Sequence, residues 1–427
     1  MGASDPAGSV VGAVQRRLYS LRRTRWEVRL GGCTVKYVLL VPDGMADDPR
    51  PELGGRTPLE AARTPNLDRM AARGEVGAVQ VTPPDMYPGS DAANMALLGY
   101  DPRTHYTGRG PVEAAAIGIC LRPRDVAFRC SLVATDGDAL VDYSAGHIST
   151  EEARELIEHA ASRLRAPRIR LVPGVSYRHI LVVEDGSDNV TTYAPHENMG
   201  RPFREILPVG EDEGLLRKLV LDSLAILDGH AVNVRRRARG LPPGNLLWPW
   251  GQGRAPALPS FEEIHGVSGA VIAAVDVVKG LGKLAGLETP DVPGATGYYD
   301  TDYAAKGRAA VEALGQHDFV WIHVEAPDEA GHAGSAEEKV RSLERIDELL
   351  LGALLAGLED VPFRLLVAPD HATPVATRGH RGGWMPYLLF GTDDLRSDDM
   401  PYHESAAVRS RHRVAEGHRL IDELLRR

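Results

Sequence analysis

Asp328 and His332 stand four residues apart in the stretch APDEAGH. On a helix that spacing puts both side chains on one face. A carboxylate beside an imidazole suits a divalent ion; the plainer reading is an exposed helical pair. Asp370-His371 is a second such pair and directly follows an apolar run. Neighbours inside a strand point to opposite faces, but past its end the chain turns and both side chains can converge. His380, in TRGH, lies within loop reach of them, and Asp43 follows another apolar run. These carboxylates and imidazoles suffice for two ions once one more oxygen joins. Paired ions clamp the attacking and leaving oxygens of a phosphoryl transfer. Ser90, in PGSDAANMALLGY, is the candidate for that oxygen. Its local sequence makes it a helix N-cap. The same helix start also suits an anion, and a hydroxyl next to a metal becomes a competent nucleophile. His323, in the middle of an apolar run, reads as a satisfied core histidine.

The elements that must position these residues are short, β-rich and apolar. Lys36–Pro42 (KYVLLVP), Asp318–Ala326 (DFVWIHVEA) and Arg364–Pro369 (RLLVAP) each end in or just before acidic residues. Continuous apolar runs separated by helical patterns predict a mostly parallel sheet covered on both faces. Ligands of such sheets bind beyond the carboxyl ends of the strands. Helices are expected at Thr64–Arg73, with a Thr cap and a Pro at its first position, at Ser149–Arg165, and at Glu337–Leu355. Between residues 115 and 265 the texture changes to shorter strand-like runs (Asp125–Ala134, Arg168–Val172, His179–Glu184), the basic run Arg235–Arg239 and the Pro/Gly/Trp stretch Leu241–Gly253. The expected organisation is α/β, with a core of 35–114 and 266–427 and a smaller α/β domain of 115–265 inserted into it. Arg235–Arg239 is expected to be a solvated face.

A chain of 427 residues with 25% charged and 43% hydrophobic residues falls in the globular range. Its net charge of −10 and the lack of a dense basic stripe argue against nucleic acid as a partner. No apolar run approaches the length of a membrane span. Cys33, Cys120 and Cys130 are too few for a disulfide framework and suit a reducing cytoplasm. Residues 1–34 are Arg-rich and acid-poor without the apolar segment of a secretory signal, and are expected to be a disordered basic extension.

Taken together, PGSDAAN, LLGYDP, YTGRGPVEAA, GHIST, WGQG, HVEAPDEAGH and DHATP resemble the archaeal-type cofactor-independent phosphoglycerate mutases of the alkaline phosphatase superfamily. The similarity runs from about Val35 to the C-terminus, with the motifs in order. The resemblance implies an alkaline-phosphatase-like core and two divalent ions, manganese first, with magnesium, cobalt or zinc as options and no 2,3-bisphosphoglycerate. One ion would be held by Asp43, Ser90, Asp370 and His371, the other by Asp328, His332 and His380. Ser90 would form a phosphoserine as 3-phosphoglycerate and 2-phosphoglycerate interconvert in the cytoplasm, while the inserted domain closes over the site. Arg109 would bind the phosphate and His147 the glycerate carboxylate, with Lys279, and Lys283 behind it, as further candidates; the plainer roles of the first two are a surface Arg and a capping His. The chain departs from the family pattern in RGGWMP after His380, at Ala372, and at Gly244. A phosphatase or phosphonate hydrolase, a mutase of a related phospho-acid, and a non-catalytic metal-binding protein are the alternatives.

Overall fold

The computed structural model describes residues 35–164, 166, 168–393 and 397–426. The expected extension 1–34 and Cys33 lie outside the described residues. In chain order the strands are β1 (Lys36–Pro42), β2 (Glu75–Gln80), β3 (Val126–Thr135), β4 (Leu140–Asp142), β5 (Ile169–Val172), β6 (Arg178–Val183), β7 (Val190–Thr191), β8 (Val209–Gly210), β9 (Leu246–Gly253), β10 (Gly269–Ile272), β11 (Phe319–Val324), β12 (Phe363–Val367), β13 (Trp384–Gly391) and β14 (Arg413–Val414).

A seven-stranded sheet runs in the order β10-β11-β1-β12-β13-β2-β14. From β10 to β12 the pairing is parallel, and β13 is antiparallel to both of its neighbours. This is the mostly parallel α/β core expected from the three apolar runs. Strand β1 shows why the runs are continuous. Tyr37, Leu39 and Val41 enter one buried cluster, while Val38 and Leu40 enter another on the opposite face. With side chains alternating and both faces covered, no position is left for a polar residue.

The smaller sheet runs β4-β3-β6-β5, and β9 also pairs with β3. All ten residues of β3 are buried. One face packs against a cluster that includes Leu156, Leu219 and Trp248, the other against Ala114 of the helix Arg109–Ala116. That helix is also gripped by the helix Asp276–Leu284. A Cβ on Gly280 would lie 1.9 Å from the Val112 carbonyl oxygen, so only glycine permits the approach. Arg109, at the helix start, is thereby fixed relative to both sheets.

Three expectations need correction. Thr64 does not cap its helix (Pro65–Ala71). The buried Asp347 carboxylate does so from afar, accepting from the backbone N–H of Asn66 at 3.1 Å and of Leu67 at 2.8 Å. Asp347 sits in a π-helical turn, Ile346–Leu351, that interrupts the helix expected across Glu337–Leu355. The basic run is not wholly solvated, because Arg236 is buried and donates to Glu152 and to the Ala145 carbonyl. The stretch Leu241–Gly253 contains strand β9, whose Pro and Gly residues hid its apolar pattern. By contrast, Ser149 caps the helix Thr150–Arg163, accepting from the Glu152 N–H. Among the described residues, no helix is long and apolar enough to cross a membrane.

Candidate active site

Parallel pairing brings the acidic strand ends to one edge of the large sheet, where β1 lies between β11 and β12. Asp43 follows β1 and is fully buried; its N–H donates to the Val324 carbonyl at 2.9 Å. Gly44 turns the chain with φ +60°, and a Cβ there would meet Asp328 Oδ1 at 2.5 Å. The Asp-Gly pair is therefore a requirement of the site, since a side chain would displace Asp328. Asp370 follows β12 and is held by the Gly44 N–H (3.1 Å), the His371 N–H (3.0 Å) and Asn94 Nδ2 (2.9 Å).

His371 Nε2 stands 3.3 Å from Asp43 Oδ1, 3.5 Å from Asp370 Oδ2 and 3.2 Å from Ser90 Oγ. Ser90 is the first residue of the helix Ser90–Leu97; Gly89 occupies the cap position, and the Ser90 side chain makes no capping bond. The N-cap reading therefore fails, and the hydroxyl faces the cluster instead.

A second group adjoins the first. His332 Nε2 lies 3.1 Å from Asp328 Oδ2 and 3.0 Å from His380 Nε2, and His380 Nε2 is 3.6 Å from Asp328 Oδ1. Asp328 and His332 share the helix Ala326–Ala333, as their spacing predicts. The His380 and His371 rings stack with centroids 4.0 Å apart, so the two groups touch. Thr373 ties them together, its hydroxyl contacting both Asp328 Oδ1 and His371 Nδ1. Beneath it, the buried Lys339 ammonium donates to Asp47 (2.8 Å), the Thr373 carbonyl (2.8 Å) and the Ala46 carbonyl (3.3 Å).

The residues fit divalent ions. Metal–ligand bonds of about 2.1 Å put neighbouring ligand atoms about 3.0–3.4 Å apart, close to most of the separations above. Both Asp43 oxygens are buried without a hydrogen bond, as is His380 Nδ1. Electrostatics agree. Burial, then Asp370 and Glu325, hold the Asp43 carboxyl well above its ordinary range. Burial opposes ionisation of Asp328, but His332, His371 and His380 outweigh it and keep that carboxyl low. Burial works against His332 protonation too, yet Asp328 wins and pushes it up to about 9. Among the described residues, sets able to hold an ion are Asp328/His332/His380, Asp43/Asp370/His371 and Asp43/His323/Glu325.

A cluster of opposite sign lies on the smaller sheet. Glu113 accepts from Arg109 Nε at 2.6 Å and from the buried Arg129 Nη1 at 2.7 Å. Burial pushes Arg129 down to about 10, and its Nε has no partner. Both guanidiniums lie over the Trp250 ring. Arg178 and Arg129 flank Tyr177, and the His147 ring packs edge-on to Tyr177 at 6.2 Å. This cluster lies within electrostatic reach of the first. Arg178 and His147 act electrostatically on Glu329, next to Asp328, and His332 acts on His196.

Of the expected substrate residues, Arg109 and His147 join this cluster. Lys279 is instead paired with exposed Asp291 at 3.0 Å, and Lys283 Nζ donates to the Ala116 carbonyl. His323 is buried as expected, but it is not satisfied: neither ring nitrogen makes a hydrogen bond. Sequence reasoning missed Glu325, Arg129, Arg178 and Asn94. One signal was present, since His323 and Glu325 are two apart along a strand direction and so share a face. Arg129 carried no signal, being one polar residue inside an otherwise apolar strand.

The departures from the family pattern also have places. A Cβ on Gly244 would come within 2.7 Å of Leu132 Cδ2, so the missing methyl is matched by the leucine. Ala372 pairs with Arg381, and Arg381 grips Asp48 with two bonds of 2.6 and 2.8 Å, which pins the loop after His380.

An α/β chain with two adjoining Asp/His groups at the carboxyl edge of its sheet has the architecture of a metal-assisted phosphoryl-transfer enzyme. The family model described as 2,3-bisphosphoglycerate-independent phosphoglycerate mutase matches residues 71–233. A relative from Methanothermobacter thermautotrophicus, named 2,3-bisphosphoglycerate-independent phosphoglycerate mutase 2, is 47% identical over 395 residues, covering 92% of this chain and 98% of its own. A Geobacter sulfurreducens protein named as a probable enzyme of the same kind is 45% identical over 399 residues, covering 92% and 100%. Two solved structures are 30% identical: a Pyrococcus horikoshii protein with a TM-score of 0.77, covering 92% of this chain and 98% of its own, and the cofactor-independent phosphoglycerate mutase of Thermoplasma acidophilum with 0.61, covering 92% and 99%. The chain belongs to the 2,3-bisphosphoglycerate-independent phosphoglycerate mutase family.

Proposed function

We propose that Ser90 carries the phosphoryl group in this family's reaction, the interconversion of 3-phosphoglycerate and 2-phosphoglycerate. The observation that carries the proposal is the convergence of the Ser90 hydroxyl with His371, Asp43 and Asp370 at the start of a helix. Asp43, Ser90, Asp370 and His371 would hold one divalent ion, and Asp328, His332 and His380 the other. When bound, such ions neutralise charge on the transferring phosphoryl oxygens and favour the ionised hydroxyl.

The chain's own residues supply the rest. Ser90 Oγ forms its bond to phosphorus as the C3 oxygen leaves, giving phosphoserine and glycerate. Free N–H groups at the helix start favour the anionic phosphoryl group. Arg109, Arg129 and Arg178 hold the glycerate carboxylate, because guanidinium forks suit planar anions. The glycerate turns, its C2 hydroxyl displaces Ser90, and 2-phosphoglycerate results. Residues 115–265 act as the closing domain that keeps water from the phosphoserine.

Phosphorus NMR of the purified chain with manganese and 3-phosphoglycerate tests the reading. A 2-phosphoglycerate signal is expected, together with its loss in Ser90→Ala. Free phosphate alone would point to a hydrolase on the same core.

A further inference from the structure

Two tyrosines stand open to solvent at the margins of the two charged clusters: Tyr87 is 60% exposed and Tyr143 is 37% exposed. Single exposed aromatics are ordinary on protein surfaces. What sets these two apart is where they stand.

Tyr87 lies three residues before Ser90 in TPPDMYPGS. Pro83, Pro84 and Pro88 restrict that loop. Two turns fix it further, with the Met86 N–H donating to the Pro83 carbonyl at 3.0 Å and the Gly89 N–H to the Tyr87 carbonyl at 2.9 Å. The Tyr87 ring is thereby held 6.0 Å from the ring of His380. Its phenol lies within electrostatic reach of Asp328 and also of Glu197 and Arg109. Tyr143 follows β4 and reaches the other way. Its ring meets those of Tyr177 at 5.9 Å and His196 at 6.2 Å, both near edge-on, and Tyr177 is the ring that Arg129 and Arg178 flank. Its phenol nevertheless lies within electrostatic reach of Glu329, next to Asp328. Each tyrosine belongs to one cluster and reaches charges of the other, so both stand at the gap that a phosphoglycerate would span.

We infer that Tyr87 and Tyr143 are specificity-determining residues that form an aromatic seal over this gap, so that the phosphoryl group on Ser90 returns to glycerate and not to water. The inference rests on the phosphoserine reading above. The two fates differ only in the attacking oxygen. When the C2 oxygen of glycerate bonds to phosphorus, the bond to Ser90 Oγ breaks and 2-phosphoglycerate forms. When a water oxygen bonds instead, the same bond breaks, Ser90 recovers a proton from that water, and phosphate and glycerate leave. Orienting glycerate does not keep out a molecule as small as water, whereas rings that fill the remaining space do. Tyrosine suits the place, having an apolar body for the closed site and a polar tip that tolerates water in the open one.

Phosphorus NMR of the full chain with manganese and 3-phosphoglycerate reads both fates as the ratio of free phosphate to 2-phosphoglycerate. Tyr87→Ala and Tyr143→Ala are each expected to raise that ratio at least about tenfold, the factor given by about 1.4 kcal/mol of barrier difference. Tyr87→Phe and Tyr143→Phe keep the ring and should hold the wild-type ratio. Adding Ser90→Ala to Tyr87→Ala should abolish the release. A wild-type ratio in either Ala variant would overturn the seal and leave the mutase reading standing. Release that survives the loss of Ser90, or an equal rise in the Phe variants, would overturn it too. Loss of all turnover in both Ala variants would place the tyrosines in the chemical step and equally end the proposal. Free phosphate alone from the wild type would overturn both the seal and the mutase reading.

Discussion

At the edge of the seven-stranded sheet, Asp43, Glu325, Asp328 and Asp370 share the interior with imidazoles, whereas on the smaller sheet Arg109, Arg129 and Arg178 share Glu113. Each cluster lacks countercharge, and the deficits are of opposite sign. Burial raises the cost of leaving them so, because isolated charges away from water are unfavourable. The carboxylate side calls for divalent cations and the guanidinium side for an organic anion. A phosphorylated hydroxy acid answers the second demand and, together with ions, the first. The contrast also separates two roles: the carboxylate cluster should govern the chemical step, and the guanidinium cluster should govern substrate binding.

That division can be broken by experiment. The largest effect is expected from Ser90→Ala, which should lower kcat by roughly 10⁴-fold or more, as removal of a nucleophile does elsewhere. Retained turnover would move the chemistry away from the carboxylate cluster. Arg129→Met should act mainly on KM, raising it about 10- to 100-fold, the equivalent of about 1.5–3 kcal/mol for a charge-assisted hydrogen bond. Arg129→Lys should recover only part of this, since an ammonium lacks the fork. A fall in kcat with unchanged KM in Arg129→Met would cancel the proposed separation of roles.

A third test uses pH. With His332 pushed up to about 9 by Asp328, an ion must displace its proton. Manganese affinity at that group should therefore drop about tenfold per unit below about pH 9. Calorimetry in buffers of different ionisation heat should report one proton fewer released by His332→Gln. The same shift acts on folding of the ion-free protein. A raised pKa stabilises below the ordinary His value of about 6.5 and loses that contribution as pH rises through about 9. The melting temperature of the wild type should fall relative to His332→Gln across that window. The smallest effect belongs to Lys279→Ala, which breaks an ion pair with a 96%-exposed aspartate. Stability should change by less than about 1 kcal/mol and KM by less than about twofold; a large KM change would restore Lys279 to the substrate residues.

The unequal legibility of the two clusters has a physical cause. Asp43, Asp370 and His371 follow apolar strands of a sheet buried on both faces, so each stands out where hydrophobicity stops. Asp328 and His332 carry the four-residue spacing of a helix face. The β1, β11 and β12 runs were legible for the same reason. Arg129 lies within β3, and its role depends on Trp250, distant in sequence and set opposite it by the antiparallel pairing of β3 with β9, and on Glu113 of the helix Arg109–Ala116. Strand β9 itself contains Pro249, Gly251 and Gly253, which mask its period. Ser90 is ambiguous in its local sequence, because a serine before a helical pattern resembles a cap, and only the position of Gly89 decides. Asp347 capping the Pro65–Ala71 helix was out of reach, since the π-helical turn that aims it has no simple sequence mark.

Lys339 has a consequence for the order of assembly. Its ammonium holds Ala46, Asp47 and Thr373, which come from opposite ends of the chain and lie beside Asp43 and His371. The protein thus uses an internal cation of its own as scaffolding for the loops that receive external ones. Ligand loops fastened in this way are finished before any ion arrives, unlike those of small zinc domains that are unfolded without metal. Loading and stripping of ions become exchange steps on a standing framework, and a chelator should silence the enzyme without dismantling it.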